Sequence, residues 1–521
     1  MASLLLGEVS RFERYVSTVT DAEERQNRWF FFARDTWRAT KKLTVNYGLR
    51  WEIYRPQTVT SADKGGFVDV DTGEVLIAGS RGVGLDLEQE GTLKTLAPRL
   101  GIAYRATERT VLRLGYGRGF DIGVFGSVFG HNVTQNLPVL AIQSLQPAGN
   151  FASVFTLDQG PQPLDPATIL DSQPKGPNGR PVLPNGVTAF ILPKRLRLPT
   201  TDAWNVTLQH QLPHDVAVEA AYVGTKGTHV FAGGGGDYDF NQATIQGFGQ
   251  LTLNQRKPFF DKFGWSQNFR YYGSDASNNY HSLQLKAEKR FSRGYSLLGH
   301  YTWSRSFNYT NTYYNIDAKL AYGPNDNNRS HVVLLSGVYE LPFGKGRRHL
   351  SNAGRALDLV AGGWQVNTVF TWQSGLPFTP SYRDCNADRD TGWCRPDLVG
   401  DYNKDNPDRN GWFPITSAPL TANGQTDGAW RRPTKGTFGS VGRNRLVGPS
   451  FSQWDLSFFK SFVISERFRV QFRAESFNFA NHVNLANPNA CVDCPAVAGR
   501  IFGTFALAVP RQWQFALRLE Y

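Results

Sequence analysis

The sequence contains no hydrophobic run that approaches the roughly 18 consecutive apolar residues of a transmembrane helix, which excludes a helical inner-membrane protein. Residues 1–10, MASLLLGEVS, also lack the basic start, the long apolar stretch and the cleavage site of an export signal. If the protein is exported, we therefore expect its signal to lie upstream of Met1.

Enzyme motifs are absent as well. The nine histidines form no HExxH pair, no GxSxG sequence stands between a strand and a helix, and the glycine run 233–236 is too loose to cradle a phosphate. His300 and His331 are isolated positions on predicted strands. We therefore predict that the chain is not an enzyme and that it holds no cofactor beyond a structural ion.

Cysteine is scarce, with four residues in the whole chain, and they form two local pairs in predicted loops: Cys385 with Cys394, and Cys491 with Cys494. Local pairs in an oxidising compartment indicate disulfide bonds. Zinc is the alternative for Cys491 and Cys494, because their spacing also suits metal ligands. No histidine follows them at the spacing of a zinc finger, so disulfides are the favoured interpretation.

The formal net charge of +12 would suggest a polyanionic partner such as nucleic acid if the protein were soluble. The lysines and arginines are instead spread along alternating strand positions and loops, without a basic cluster or an RNA-binding signature. We therefore expect no nucleic-acid partner.

Alternation of apolar and polar residues is the dominant pattern that is present. Between residues 43 and 53, Leu43, Val45, Tyr47, Leu49, Trp51 and Ile53 alternate with polar residues or glycine. Residues 512–521 repeat the pattern, and less regular copies recur along the chain. This period of two predicts strands with one apolar and one polar face.

Connections between these strands alternate in length. Short turns are predicted near residues 40–42, 106–109, 213–215, 292–294 and 463–466, and long stretches at about 55–95, 121–200, 225–278, 307–329, 375–451 and 481–510. The connection at 343–363 is unusually long, although its place in the alternation makes it one of the short connections. Such asymmetry is typical of transmembrane barrels, which have short periplasmic turns and long extracellular loops. We predict an all-β fold, a transmembrane antiparallel β-barrel of about 13 or 14 strands in an outer membrane.

A soluble sandwich or propeller is the alternative fold, but its strands average only about 5–6 residues. Aromatic residues at the predicted strand ends fit the membrane interfaces of a barrel better; they are Trp37, Trp51, Tyr301, Trp303, Trp364, Trp372 and Trp513. The charged residues on the polar faces would then line the lumen. They form either a solvated, salt-bridged wall or a lumen that holds a polar plug or steers an anionic solute.

Several ordered blocks carry a family resemblance. They are AYVGTKGTH (221–229), NYHSLQLKAEKRFSRGYSLLGHYTWSRS (279–306), SGVYELPFGKGRR (336–348), GGWQVNTVFTWQSGLPFTP (362–380), GRNRLVGPSFSQWDLSFFKSF (442–462) and RVQFRAESFNFANHVNLANPN (469–489). From about Trp29 to its end, the chain resembles the barrel of TonB-dependent outer-membrane transporters of the Oar-like type. The last strand, with Trp513, Phe515, Leu517, Leu519 and Tyr521, resembles the terminal signal that the barrel-assembly machinery reads.

The resemblance implies a 22-strand barrel with an N-terminal plug, and uptake driven by an energy-transducing TonB complex that pulls on an N-terminal box. The sequence departs from this pattern, since no plug, no box and only the C-terminal portion of the strands are found. We expect residues 1–26 to be the remnant of an extracellular loop or strand, and residues 27–521 to form the barrel domain.

Two loop features are candidate binding sites. The segment 384–390 places oxygen ligands at alternate positions, as a calcium loop does, through Asp384, Asn386, Asp388 and Asp390. Its sixth position is Arg389 rather than glycine, and a loop braced by Cys385 and Cys394 is the alternative. Aromatic residues form the second feature, and they either bind a solute or pack the loops together; they are Phe259, Phe260, Trp265, Tyr271, Tyr272, Tyr313 and Tyr314.

The predicted function is active uptake of a large solute through an outer-membrane receptor in contact with membrane lipid. The alternatives are a surface adhesin and a plugless, porin-like pore. The sequence does not identify the solute, and an upstream plug domain would separate the transporter from the other two.

Overall fold

A computed structural model describes residues 5–17, 19–121, 132–147, 152–195, 197–382, 395–414, 429–465 and 467–521. Thirteen long strands follow one another along a single antiparallel sheet in chain order. They are β1 (Arg28–Arg38), β2 (Leu43–Tyr54), β3 (Thr92–Thr107), β4 (Thr110–Phe120), β5 (Thr200–Leu212), β6 (Val216–Val230), β7 (Ala276–Ser292), β8 (Tyr295–Tyr309), β9 (His331–Glu340), β10 (Trp364–Gln373), β11 (Phe451–Val463), β12 (Arg469–Phe477) and β13 (Gln512–Glu520).

A short strand, Tyr322–Pro324, pairs with β8 and brings the sheet to 14 strands. The prediction of an antiparallel all-β fold with about 13 or 14 strands is therefore confirmed. Among the described helices, none is long and apolar enough to cross a membrane.

Alternation in sequence becomes two chemically different faces because paired residues lie on the same side of the sheet. Tyr47 of β2 lies opposite Leu100 of β3, whereas its neighbour Gly48 lies opposite Arg99. The same alternation continues along the thirteen strands, apart from register shifts near the strand ends, as between Glu52 and Tyr54. We call the side that carries the apolar residues the outer face and the side that carries the charged residues the inner face.

The connections divide the sheet into two ends. Residues 39–42, 108–109, 213–215, 293–294, 341–363 and 464–468 join the strands at one end, which we call the turn end. At the 293–294 turn, both Arg293 (φ 55°) and Gly294 (φ 86°) adopt the left-handed backbone that a tight hairpin of this hand requires.

Six long connections join the strands at the opposite end: residues 55–91, 121–199, 231–275, 310–330, 374–450 and 478–511. We number them first to sixth and call their described parts, together with the described residues before β1, the cap. Their strands are Glu8–Val9, Phe12–Ser17, Glu24–Arg25, Thr58–Val59, Gly66–Val68, Val75–Ile77, Leu140–Leu145, Phe155–Thr156, Val187–Thr188, Phe190–Ile191, Tyr238–Asp239, Arg270–Tyr271, Pro377–Phe378, Asp397–Leu398, Trp430–Arg431 and Leu446–Val447.

Helices are short and few in the described residues. Asn254–Arg256 and Asn315–Ala321 are 3-10 helices, and Phe260–Phe263 and Arg355–Ala361 are α-helices. The first three lie in the cap, and Arg355–Ala361 lies at the turn end.

The N-terminal segment joins the cap rather than the sheet. Phe12–Ser17 pairs antiparallel with Leu140–Leu145 of the second connection, and Glu24–Arg25 pairs with Thr58–Val59 of the first. The chain enters the long sheet at β1.

The long sheet has two edges in the part of the chain that the structure describes. β1 pairs only with β2, and β13 pairs only with β12. The 22-strand barrel that the family resemblance implies stays a prediction.

Candidate functional site

The inner face of the sheet is a polar wall with internal charge compensation. Three ion pairs link residues two apart on one strand: Arg50–Glu52 at 2.9 Å, Lys286–Glu288 at 2.8 Å and Arg518–Glu520 at 3.3 Å. Across strands, Glu219 lies opposite Lys286 and Arg469 lies opposite Glu520. Most of this wall fits the salt-bridged lumen that the sequence suggested.

Some inner-face arginines depart from this pattern, and two of them, Arg34 and Arg99, lie close together. Arg34 of β1 and Arg99 of β3 lie on either side of Gly48, in one row across three strands. Both side chains are exposed, and neither guanidinium group has an ion pair or hydrogen bond among the described residues. They line a hollow of about 900 Å³ that also includes Arg50.

Glycine keeps this hollow open. A Cβ atom at Gly48 would lie 2.9 Å from the carbonyl oxygen of Ala33 and 3.0 Å from the Cβ of Arg34, so no side chain fits there. Gly117 follows Arg99 in the same row. Two uncompensated cations on either side of a glycine form a surface that attracts a carboxylate, a phosphate or another anion.

Sequence reasoning missed Arg34 and Arg99. Phe30 and Phe32 lie on the inner face of β1 while Asp35 lies on its outer face, which breaks the alternation that identifies strands. Arg99 follows Pro98, in a segment whose alternation is equally irregular.

The cap is a packed structure, and three of its apolar clusters each join different connections. The first cluster joins the first three connections through Val68, Val75, Leu137, Ala141, Leu170, Leu183, Val187, Ala189, Ile191, Trp265 and Phe269. The second joins β7 and the third, fourth and fifth connections through Ala232, Tyr238, Ala276, Tyr313, Tyr314, Ala321 and Phe438. The third joins the fifth and sixth through Phe378, Tyr382, Phe413, Ala429, Trp430, Val441, Leu446 and Val492.

Buried amides reinforce the first cluster. The side-chain amide of Asn136 donates to the carbonyl oxygens of Gly66 at 3.0 Å and Phe190 at 2.9 Å, and its oxygen accepts the N–H of Phe190 at 2.8 Å. Gln267 accepts the N–H of Gly186 and donates to the carbonyl of Val187. These bonds satisfy backbone groups that would otherwise be buried without partners.

The GRN sequence at 442–444 connects the fifth connection to the fourth. Arg443 is almost fully buried; its guanidinium donates to the carbonyl oxygen of Asn308 at 2.9 Å and lies 2.8 Å from the carboxylate of Asp326. Asn444 donates to Asp326 and to the carbonyl of Pro324, both at 2.7 Å. One of the blocks that carry the family resemblance therefore holds two parts of the cap together.

The aromatic candidates of the loops are mostly interior residues. Trp265, Tyr272, Tyr313 and Tyr314 are buried, and burial raises the pKa of Tyr313 to about 12. Trp265 packs against Phe263 with ring centroids 4.4 Å apart. Of the two interpretations that the sequence left open, the structure favours packing of the loops over binding of a solute.

The remaining predicted sites are distributed as follows. Cys491 and Cys494 are joined by a disulfide with a Cα–Cα distance of 5.5 Å, which leaves neither sulfur as a thiolate ligand for zinc. Asp384, Asn386, Asp388 and Asp390, the predicted calcium ligands, lie outside the described residues, as do Cys385 and Cys394. Trp513, Phe515, Leu517 and Leu519 lie on the outer face of the edge strand β13, and Tyr521 follows it.

Comparison with known proteins gives one match to a family and several to solved structures. The family model for an outer membrane beta barrel domain matches residues 1–514. No curated protein matches the sequence.

Among solved structures, the chain is similar to the ferric-catecholate import receptor Fiu of E. coli K12 (10% identity, 96% of this chain and 45% of that one, TM-score 0.39). It is also similar to the outer membrane transporter YddB of Escherichia coli (9%, 95% and 54%, 0.42) and to the siderophore receptor PiuA of Acinetobacter baumannii (9%, 96% and 44%, 0.39). The chain spans about half the length of these proteins.

Proposed function

Because the chain belongs to the family of outer membrane beta barrel domains, we propose that it is the barrel wall of a receptor that takes up a large anionic solute in an energy-dependent manner. The chain lies in the outer membrane and is a barrel rather than an enzyme. Its turn end then faces the periplasm and its cap faces the outside, as in barrels with short periplasmic turns.

The observation that carries the proposal is the pair of uncompensated arginines on the inner face. These two cations flank one hollow, unlike the compensated charges of the wall such as Lys286–Glu288. Arg34 and Arg99 stand free beside a hollow large enough for a small molecule or part of a larger one. The packed cap supports the proposal, since interlocked loops can control which solutes reach this surface.

Two partners follow from the same proposal. An energy-transducing TonB complex would act through a plug that the described fold does not contain. The barrel-assembly machinery would recognise β13, where Trp513, Phe515, Leu517 and Leu519 form an apolar stripe on an edge strand.

The test is uptake of a radiolabelled ferric catecholate, a large anion, by cells that carry the protein, together with any plug domain encoded upstream of Met1, in their outer membrane, with the proton gradient intact or collapsed. We expect binding in both states and uptake only with the gradient. Uptake that persists after collapse would indicate a porin-like pore, and binding without uptake in either state would indicate an adhesin. Both results contradict active transport.

Variants of the wall test the site itself. Replacing Arg34→Gln and Arg99→Gln together should weaken binding of the anion by about ten-fold, because two cations near the solute are lost. The matched control is Arg113→Gln, an inner-face arginine whose guanidinium already donates to Gln209 at 2.8 Å. Equal effects of the double variant and the control would contradict the site.

A further inference from the structure

The connection between β9 and β10, residues 341–363, has a composition unlike the other turns. It contains Lys345, Arg347, Arg348 and Arg355 with a single acidic residue, Asp358. It ends in the helix Arg355–Ala361, which has no buried residue. We call residues 341–363 the rim segment and Arg355–Ala361 the rim helix.

Two outer-face residues hold the rim helix on the outside of the wall. The indole N–H of Trp364 donates to the carbonyl oxygen of Val360 at 2.8 Å, and the ammonium group of Lys460 donates to the carbonyl oxygen of Gly362. Trp364 and Lys460 lie opposite each other and share a face with Phe370 and Trp454. The C-terminal end of the helix is therefore tied to the lipid-facing side of the sheet and not to the lumen side.

Apolar side chains of the rim segment are exposed beside this attachment. Leu357 is 49% exposed, Leu359 45% and Val360 71%. The neighbouring turn between β11 and β12 contributes Ile464 at 63% and Phe468 at 48%. These side chains extend the apolar outer face beyond the last paired residues of the wall.

Two outer-face lysines direct their charges away from the apolar face at this level. Lys460 and Lys289 both direct their ammonium groups to polar atoms of the turn end, with Lys289 donating to the carbonyl oxygen of Arg290 at 2.7 Å. Both lysines are nearly fully buried, and their charges are held by polar atoms of the turn end rather than left in the apolar layer. The rim helix, bonded to the same Lys460, lies at that level.

We propose that the rim segment is a membrane anchor that lies in the headgroup layer of the periplasmic leaflet and binds acidic phospholipids. The exposed leucines and valine enter the acyl boundary, and the exposed Lys345, Arg348 and Arg355 contact the lipid phosphates. A helix of this length is marginal in water, so lipid contact also stabilises its backbone. The anchor does not depend on the transported solute or on energy coupling.

The test is hydrogen–deuterium exchange of the full chain in nanodiscs of phosphatidylcholine alone or of phosphatidylcholine with phosphatidylglycerol. We expect the amides of the rim helix to exchange about ten-fold more slowly when the acidic lipid is present. Arg348→Gln with Arg355→Gln should remove most of that difference. Lys41→Gln, which removes a cation from another turn of the same end, should leave it intact.

Exchange in β10 reports whether each variant keeps the wall folded. Val360→Gln should speed exchange of the rim helix in both lipids while β10 is unchanged, because the apolar contact is lost. Equal exchange of the helix in the two lipids would overturn the proposal. Protection that appears only when periplasmic protein is added would also overturn it, in favour of a protein partner.

Discussion

Glu74 shows how a charged residue is held inside the cap. It is fully buried, and its carboxylate accepts the backbone N–H and the side-chain amide of Asn178 at 2.7 and 2.8 Å and the N–H of Arg180 at 3.3 Å. All these donors come from the second connection, whereas Glu74 belongs to the first. A single carboxylate therefore joins two segments that are distant in sequence through hydrogen bonds.

Glu74→Gln should lower the free energy of local opening of this contact by about 1–3 kcal/mol, because one carboxylate oxygen is replaced by an amide that cannot accept. Hydrogen exchange of the amides at 176–180 measures this opening. Glu90→Gln, in an exposed part of the same connection, is the control and should change it by less than about 0.5 kcal/mol. Equal losses in the two variants would contradict the role of Glu74.

Glu24 makes the edge of the cap sensitive to pH. Burial raises the pKa of Glu24 from 4.5 to about 7, and its Oε2 atom has no hydrogen-bond partner among the described residues. The folded state thus binds the proton more tightly than the unfolded state. Its stabilising contribution is complete below pH 4.5 and is lost as the pH rises to about 7.

Glu24→Gln, which stays neutral, should remove this pH dependence and stabilise the pairing of Glu24–Arg25 with Thr58–Val59 at neutral pH. Hydrogen exchange of these strands, corrected for the intrinsic effect of pH, is the measurement. Glu23→Gln alters an exposed neighbour, and the opening free energy of these strands should depend on pH as it does in the wild type. If the opening free energy of Glu24→Gln depends on pH as strongly as that of the wild type, the prediction is wrong.

At the scale of elements, the first apolar cluster depends on Trp265. Its indole is fully buried, contacts Phe263 and Phe269, and donates to the carbonyl oxygen of Leu183 at 2.8 Å. Trp265→Ala should lower the opening free energy of the first three connections by about 3–5 kcal/mol while the strands remain folded.

Limited proteolysis and hydrogen exchange of residues 231–275 test the effect of Trp265→Ala. Phe502→Ala, which truncates a loop aromatic that is 70% exposed, is the matched control and should have little effect. If both variants open the cap equally, the cluster does not hold the connections together.

Strands with a regular alternation could be predicted from the sequence. Where the alternation is irregular, the residues at which a strand begins and ends could not be predicted. β2 and β13 alternate because one face meets lipid and the other the lumen. The ends of β6 and β7 were predicted as loop from 225 to 278, yet they pair as far as Val230 with Ala276. Gly227 and Asn278 lie in this extension, where the cap rather than lipid and water surrounds the strands, so the period of two disappears.

The interior of the cap could not be predicted at all. Its contacts join residues such as Asn136 and Gly66, which are 70 positions apart and share no periodic pattern. A polar residue in a loop is usually solvated, and nothing local distinguishes Asn136 from an exposed asparagine. The local sequence likewise does not distinguish a buried aromatic residue of a loop from an exposed one. The aromatic loop residues were therefore considered as a binding surface, although most of them are buried.

At the scale of the whole molecule, the two edges of the sheet are the features most prone to association with other strands. β1 and β13 present unpaired backbone groups within the described fold, and such edges pair readily with other strands. We expect the purified chain in detergent to associate through these edges rather than to remain a monomer, as measured by light scattering.

Cysteine cross-linking separates pairing within one chain from pairing between chains. Thr36→Cys and Ala516→Cys, both on the inner face, are placed in a background in which the four native cysteines are serine. Cross-links between chains carrying one substitution each support association through the edges. A cross-linked monomer would mean that β1 and β13 meet within one chain and would contradict the prediction.

If the chain takes up a solute as proposed, the connections shared between apolar clusters determine how that solute can pass the cap. The third connection contributes to the first and second clusters, and the fifth contributes to the second and third. Displacing either connection disturbs two clusters, so small independent movements of single loops are suppressed and opening becomes a rare collective event. Entry would then be governed by the waiting time for that event, and admission through the cap would saturate even when solute outside is abundant.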